Sequence, residues 1–231
     1  MSANEKTAGE ASSFQTVGAL LLALKDWASV PENFPYGLGA LFLNIVLYQS
    51  ELVPRWISVW GIIGAVLIIA MGFLRLFGYP AIYLAIPLIL NELVLAVWLI
   101  VVGFDAFGIT SAVVGVLFIT ALVSTMLNGY FTKSLNDPDY LTAASANDTQ
   151  VLTGVLFELT LTASVVAIPI VLFPILNEYS EGLALAYVVA RIFEGSFDVV
   201  IAMSQLMLLT LSREFVKVGP PSSTTAQNEM G

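Results

Sequence analysis

Five polar residues recur down one face of the last apolar stretch of this chain. They are Tyr187, Arg191, Glu194, Asp198 and Gln205, spaced by four, three, four and seven residues. That is the α-helical repeat, so all five share a face. Arg191 can reach Glu194 within one turn, and Asp198 lies one turn beyond. A guanidinium flanked by carboxylates inside apolar sequence has two uses. It can be a satisfied ion pair that fixes helix packing, or a site that takes up and releases charge. On a nearby face Gly182, Ala186 and Ala190 recur every fourth residue, the small-residue spacing that lets helix backbones approach closely. Other apolar stretches add single charges: Lys25 with Asp26, Asn91 with Glu92, and Glu158 with Thr162 one turn on. The candidate polar centre is therefore Asp26, Glu92, Glu158, Arg191, Glu194 and Asp198.

The charge balance of that set matters more than any one member. Lys25 and Arg191 face Asp26, Glu92, Glu158, Glu194 and Asp198. Two cations cannot neutralise five carboxylates. In a low dielectric the surplus must hold protons, bind a cation, or meet water. A row of Thr120, Ser124 and Asn128 is neutral and suits helix–helix hydrogen bonding. Lys25 beside an aspartate in an apolar helix is also the arrangement of a Schiff-base lysine, but one such pair is a weak signal.

The chain has no cysteine and no histidine. That excludes disulfides, iron–sulfur clusters, thiol nucleophiles, His-ligated haem, His-dependent zinc sites and Ser-His-Asp catalysis. No catalytic residue and no metal site is assigned, and any cofactor is left open. The net charge of −9 argues against nucleic acid as a partner.

These residues must be positioned by a membrane protein. Apolar residues make up 58% of the 231 and charged residues 11%, a balance suited to the lipid bilayer. We expect an all-α bundle of six transmembrane helices over residues 14–48, 56–77, 82–104, 109–131, 150–176 and 182–211. The first span exceeds the length of one straight crossing. It is expected to kink at Pro31 and Pro35, or to divide there into a seventh crossing. Residues 14–218 form a single transmembrane domain between a polar segment, 1–13, and a disordered tail, 219–231. The first span is expected to act as an uncleaved signal anchor. Residues 132–149 form the longest loop, and its Asn147-Asp148-Thr149 is a weak glycosylation match. Trp56 and Trp60, after Pro54-Arg55, suit an interfacial aromatic anchor. With six spans, both termini share a face with Lys6, Arg75, Lys133, Arg213 and Lys217, against Arg55 alone on the other. The positive-inside rule then places the termini in the cytoplasm of a cell-membrane protein.

Four strings resemble a known family. They are Leu52-Val53-Pro54-Arg55-Trp56-Ile57-Ser58-Val59-Trp60-Gly61, Asn91-Glu92-Leu93-Val94-Leu95-Ala96-Val97-Trp98-Leu99, Glu181-Gly182-Leu183-Ala184-Leu185-Ala186-Tyr187 and Leu209-Thr210-Leu211-Ser212-Arg213-Glu214-Phe215-Val216-Lys217. They resemble a prokaryotic family of small multi-pass membrane proteins, domain of unknown function 4386. The resemblance covers nearly all of residues 14–219, and Asp26, Glu92, Glu158, Arg191 and Glu194 match its characteristic charges. It implies six spans and carries no activity. In the family's order the part matching 110–219 comes first and the part matching 13–105 follows, so the resemblance implies a circularly permuted chain. The family's pattern of basic residues would reverse the orientation given above; the count of this chain's own charges favours cytoplasmic termini.

Two function classes follow. One is a small transporter or channel-like protein with a midplane carboxylate–arginine site. The other is a non-catalytic accessory subunit of a larger membrane complex, in which the same charges are structural. Partners are then the lipid bilayer and other membrane subunits. An enzyme would need carboxylate chemistry, and no paired-carboxylate motif stands out.

Overall fold

The computed structural model describes residues 3–104 and 108–218. Every regular element among the described residues is helical: α1 (Ala3–Ala28), α2 (Asn33–Ser50), α3 (Arg55–Leu76), α4 (Ile86–Val101), α5 (Gly108–Phe131), α6 (Tyr140–Ala146), α7 (Asp148–Asn177) and α8 (Glu181–Val218). A 3-10 turn, Ile82–Ala85, leads into α4. Five stretches are long and apolar enough to cross a bilayer: Arg55–Leu76, Ile82–Val101, Gly108–Phe131, Asp148–Asn177 and Glu181–Val218. The protein is thus a membrane helical bundle embedded by its apolar helices.

The expected first span is divided. Residues 29–32 form a turn, and α1 and α2 are separate helices, neither among the five crossing stretches. Two prolines explain the break. Pro31 lies in the turn, and Pro35 sits in the first turn of α2, where its missing N–H is tolerated. Carbonyls freed at the break find donors. Asn33 Nδ2 donates to the Ser29 and Val30 carbonyls at 2.8 and 2.9 Å. Arg75, at the end of α3, donates to the Ser29 carbonyl at 2.9 Å and to its hydroxyl at 2.8 Å.

Six helices close into a ring. α2 packs on α3, α3 on α4, α4 on α5, α5 on α7, α7 on α8, and α8 back on α2. Neighbours meet closely. Leu88 of α4 lies where a side chain at Gly64 of α3 would stand, and the Ala96 carbonyl of α4 does the same at Gly115 of α5. Asn44 of α2 sits against Gly61 of α3. Asn91 of α4 donates to the Ile57 carbonyl of α3 at 2.8 Å. Asn128 of α5 donates to the Gly154 carbonyl of α7 and to Gln205 of α8, as expected of helix–helix glue. One apolar cluster, including Leu47, Leu95, Phe118, Ile168, Leu172 and Tyr187, fills the ring near the α2–α3 connection. The outward faces carry Trp56, Ile63, Phe73, Val97, Leu156 and Phe193, exposed to the lipid.

α8 spans 38 residues, about 57 Å at ~1.5 Å per residue, against a hydrocarbon core of roughly 30 Å. Its far end packs with α1 and α6. The rings of Phe14 and Phe215 meet there at 6.2 Å, so the first and last helices share one end of the bundle. The expected long loop 132–149 is mostly helical, with a 3-10 turn at Lys133–Asn136 followed by α6. The polar segment 1–13 is helical from Ala3. The tail 219–231 and residues 105–107, between the expected third and fourth spans, lie outside the described residues. α7 continues through Pro169 and Pro174 without ending.

Gly64→Ala should lower the melting temperature in detergent, because its methyl would meet Leu88 Cα at 2.9 Å and overpacking costs about 1–3 kcal/mol. Gly129→Ala, in α5 with nothing within 4 Å, should leave the melting temperature unchanged or raise it. Equal melting of the two variants would contradict the close α3–α4 contact.

Candidate functional site

Arg191 organises the site. Its Nη1 donates to both carboxylate oxygens of Glu194, one turn away on α8, at 2.9 and 3.0 Å. Its Nη2 reaches Glu92 Oε1 on α4 at 3.4 Å. The other oxygen of Glu92 accepts from the Tyr36 hydroxyl of α2 at 3.0 Å. The guanidinium lies 5.4 Å from the Tyr36 ring centre and 5.5 Å from that of Tyr187. Three helices thus converge on one cation. Gly39 of α2 makes room: a Cβ there would stand 3.4 Å from Arg191 Cδ and Nε. Arg191 is 2% exposed, Glu194 5% and Glu92 8%, so the cluster is enclosed by protein on every side but one.

That side is a chamber of about 190 Å³ inside the ring. Its polar wall is Glu32, Tyr36, Glu92, Arg191, Glu194 and Asp198. Its apolar wall comes from α5 and α7, with Phe118, Leu122, Leu161, Val165 and Ile168. Exposed Ile89, Thr125 and Met126 mark the mouth, between α4 and α5. The apolar cluster around Leu47, Leu95 and Leu172 packs beyond Phe118 and Ile168, on the side away from Glu32. At ~30 Å³ per molecule the space equals roughly six waters.

The sequence-selected residues divide into three groups. Glu92, Arg191 and Glu194 meet as an ion-paired trio. Asp198 lies one turn along α8, is 2% exposed, and its Oδ2 has no hydrogen-bond partner. Glu158, on α7, is 5% exposed and close enough to act electrostatically on Asp198, but it does not line the chamber. Asp26 stands apart. Its side chain is 72% exposed and pairs with Lys25 at 3.7 Å, outside the ring. The α1–α2 break is the reason: the chain turns there, and helical phase is lost between 26 and the chamber. Lys25 instead donates to Asn136 at 3.1 Å. Of the small-residue row, Ala190 is buried beside Gly39 and Ala186 is half-buried. Gly182 is exposed with nothing within 4 Å of a Cβ placed there, although Ala184 in the same turn is buried, so Gly182 faces away from the neighbouring helices. Gly195, where a Cβ would meet Val166 of α7 at 2.9 Å, is the tighter α7–α8 contact.

Glu32 and Tyr36 are the residues of the polar wall that the sequence analysis missed; Glu32 is the charged one. It lies half-buried in the α1–α2 turn and faces Asp198, Glu194 and Glu158. An acidic residue inside the Pro31–Pro35 interruption was the available signal. The lining therefore carries four carboxylates, Glu32, Glu92, Glu194 and Asp198, against the one guanidinium of Arg191. Among the described residues no three carboxylates come together as a metal-binding group.

The sequence profile of the family described as "Domain of unknown function (DUF4386)" matches residues 1–103 and 113–230. The chain belongs to this family. No curated protein and no solved structure matches the chain.

Arg191→Leu should lower stability more than Glu194→Gln. The first leaves two buried carboxylates facing each other without a cation, at about 3–5 kcal/mol in soluble precedents. The second keeps the Glu92 pair and a hydrogen-bonding isostere. Thermal melts in detergent decide; an equal or reversed order refutes the trio as the structural centre.

Proposed function

We propose that this protein is a small transporter that moves a cation or proton through the central chamber. The observation that carries the proposal is the division of charge there. Arg191 is already held by Glu92 and Glu194, so Asp198 and Glu32 line an internal cavity and neither takes part in an ion pair among the described residues. A purely structural ion pair has no need of the additional acids. Further support comes from the access: a mouth between α4 and α5, and apolar packing on the side away from Glu32. The broken α1–α2 pair beside the chamber also suits transport, since irregular backbone at a membrane protein's core is tolerated where it lines a cavity. Asp198, Glu32 and Glu158 are assigned the exchangeable role, and Glu92, Arg191 and Glu194 the scaffold.

The orientation belongs to the same proposal. The end that holds Phe14 and Phe215 also carries Arg75, Lys133, Arg213 and Lys217, with Arg55 at the other end, which favours cytoplasmic termini. The permuted order implied by the family resemblance has a physical basis in the ring. α8 packs against α2, so the two ends of the helix series are neighbours, as rejoining demands.

The test is flux in reconstituted liposomes under an imposed pH or sodium gradient. The wild type should conduct above empty vesicles, and Asp198→Asn or Glu158→Gln should abolish the flux while the melting temperature stays within a few degrees. Absence of flux in the wild type, together with co-purification of a stoichiometric membrane partner lost in these variants, would establish the accessory-subunit role instead.

A further inference from the structure

We infer that the chamber binds a small organic ammonium ion with an apolar body, about the size of benzylamine; this rests on the transport reading of the same chamber and names its substrate class. Charge sets the first requirement. With Arg191 committed to Glu92 and Glu194, the lining retains two carboxylates, Asp198 and Glu32, for a ligand. An anion is excluded by that surplus, since no second cation lines the space.

Asp198 points to a ligand independently of the acidic count. It is 2% exposed, lines the chamber, and leaves Oδ2 without a partner. A buried carboxylate left so is costly unless something donates to it. A hard divalent cation would need several oxygen ligands around one point, and among the described residues no such group exists. A monovalent ammonium asks less, because one or two charge-assisted hydrogen bonds suffice.

Shape and polarity of the other wall supply the second requirement. Opposite the acids stand Phe118, Leu122, Val165 and Ile168. A bare inorganic ion would gain nothing from them, whereas an alkyl or aryl group would bury its surface there. A dry cavity of ~150 Å³ accepts benzene, so about 190 Å³ accommodates a single ring with an aminomethyl group. The acids stand on α8 and in the α1–α2 turn and the apolar residues on α5 and α7, so such a ligand would lie across the ring of helices.

The experiment titrates purified full-length protein in nanodiscs with benzylamine at neutral pH, where it is protonated, and with benzyl alcohol, benzoate and calcium chloride. Binding is read by calorimetry and by thermal shift. Benzylammonium should bind saturably and raise the melting temperature, and the other three should not. Asp198→Asn should weaken binding about ten-fold or more, the scale of a lost charge-assisted contact. Glu32→Gln, in a half-buried turn, gives a second variant should Asp198→Asn fail to fold, and it should weaken binding in the same direction. Equal stabilisation by benzyl alcohol, stabilisation by calcium alone, or unchanged affinity in both variants overturns the inference. Proton or sodium flux that benzylammonium neither inhibits nor accompanies sinks the substrate class and leaves transport standing. Charge-dependent binding with no flux of any kind keeps the ligand and removes the transporter.

Discussion

A guanidinium buried among the apolar helices of a membrane protein has to be neutralised by groups the chain itself brings there. Insertion scales put the charge alone at about 2.5–3.5 kcal/mol. Arg191 is that charge, and three helices are drawn to it. Glu194 comes from its own helix at no topological expense, because three residues along a helix is one turn. Glu92 and Tyr36 come from α4 and α2, so both must be held against α8 for the cation to be satisfied. The two tyrosine rings at 5.4 and 5.5 Å complete an electron-rich sleeve. The closeness of α2 to α8, with Gly39 beside the arginine stem, follows from the same demand.

Once the arginine is satisfied, the remaining acids acquire a different character. Glu92 and Glu194 are fixed by their partner. Asp198 is only one turn away, yet its second oxygen has none. Glu32 reaches the same space from the turn between α1 and α2. One cluster of like residues thus contains a rigid part and an available part, and the boundary between them is a single helical turn of α8. A protein needing only an internal staple would have no use for the available part, and a protein needing only a binding acid would have no use for the staple.

Much of this was legible in the sequence because charge in apolar surroundings is a loud signal. The α8 stripe was visible by its spacing, and Glu92 and Glu158 by their isolation within long apolar runs. The same rule placed Asp26 in the centre, where it is absent, and overlooked Glu32. The error has one cause. Periodicity carries a residue's direction only along an unbroken helix, and residues 29–32 are a turn. Past the prolines, phase starts afresh, and position in the sequence no longer predicts which way a side chain faces. Gly182 failed for a related reason. Its spacing of four residues with Ala186 and Ala190 drifts round the helix, so Ala190 is buried, Ala186 half-buried and Gly182 exposed, while Ala184 takes the inward place in the first turn.

Pro169 and Pro174 give the chamber unequal walls. Each takes a donor out of the hydrogen-bond ladder of α7, over the stretch that begins where Val165 and Ile168 line the cavity. On the opposite side α2, α3 and α4 are locked by Asn44 on Gly61, Leu88 on Gly64, and Asn91 on the Ile57 carbonyl. The enclosure is therefore built unequally: α2 and α4, which carry Tyr36 and Glu92, are cross-braced through α3, whereas the ladder of α7, which carries Val165, Ile168 and Glu158, lacks two rungs.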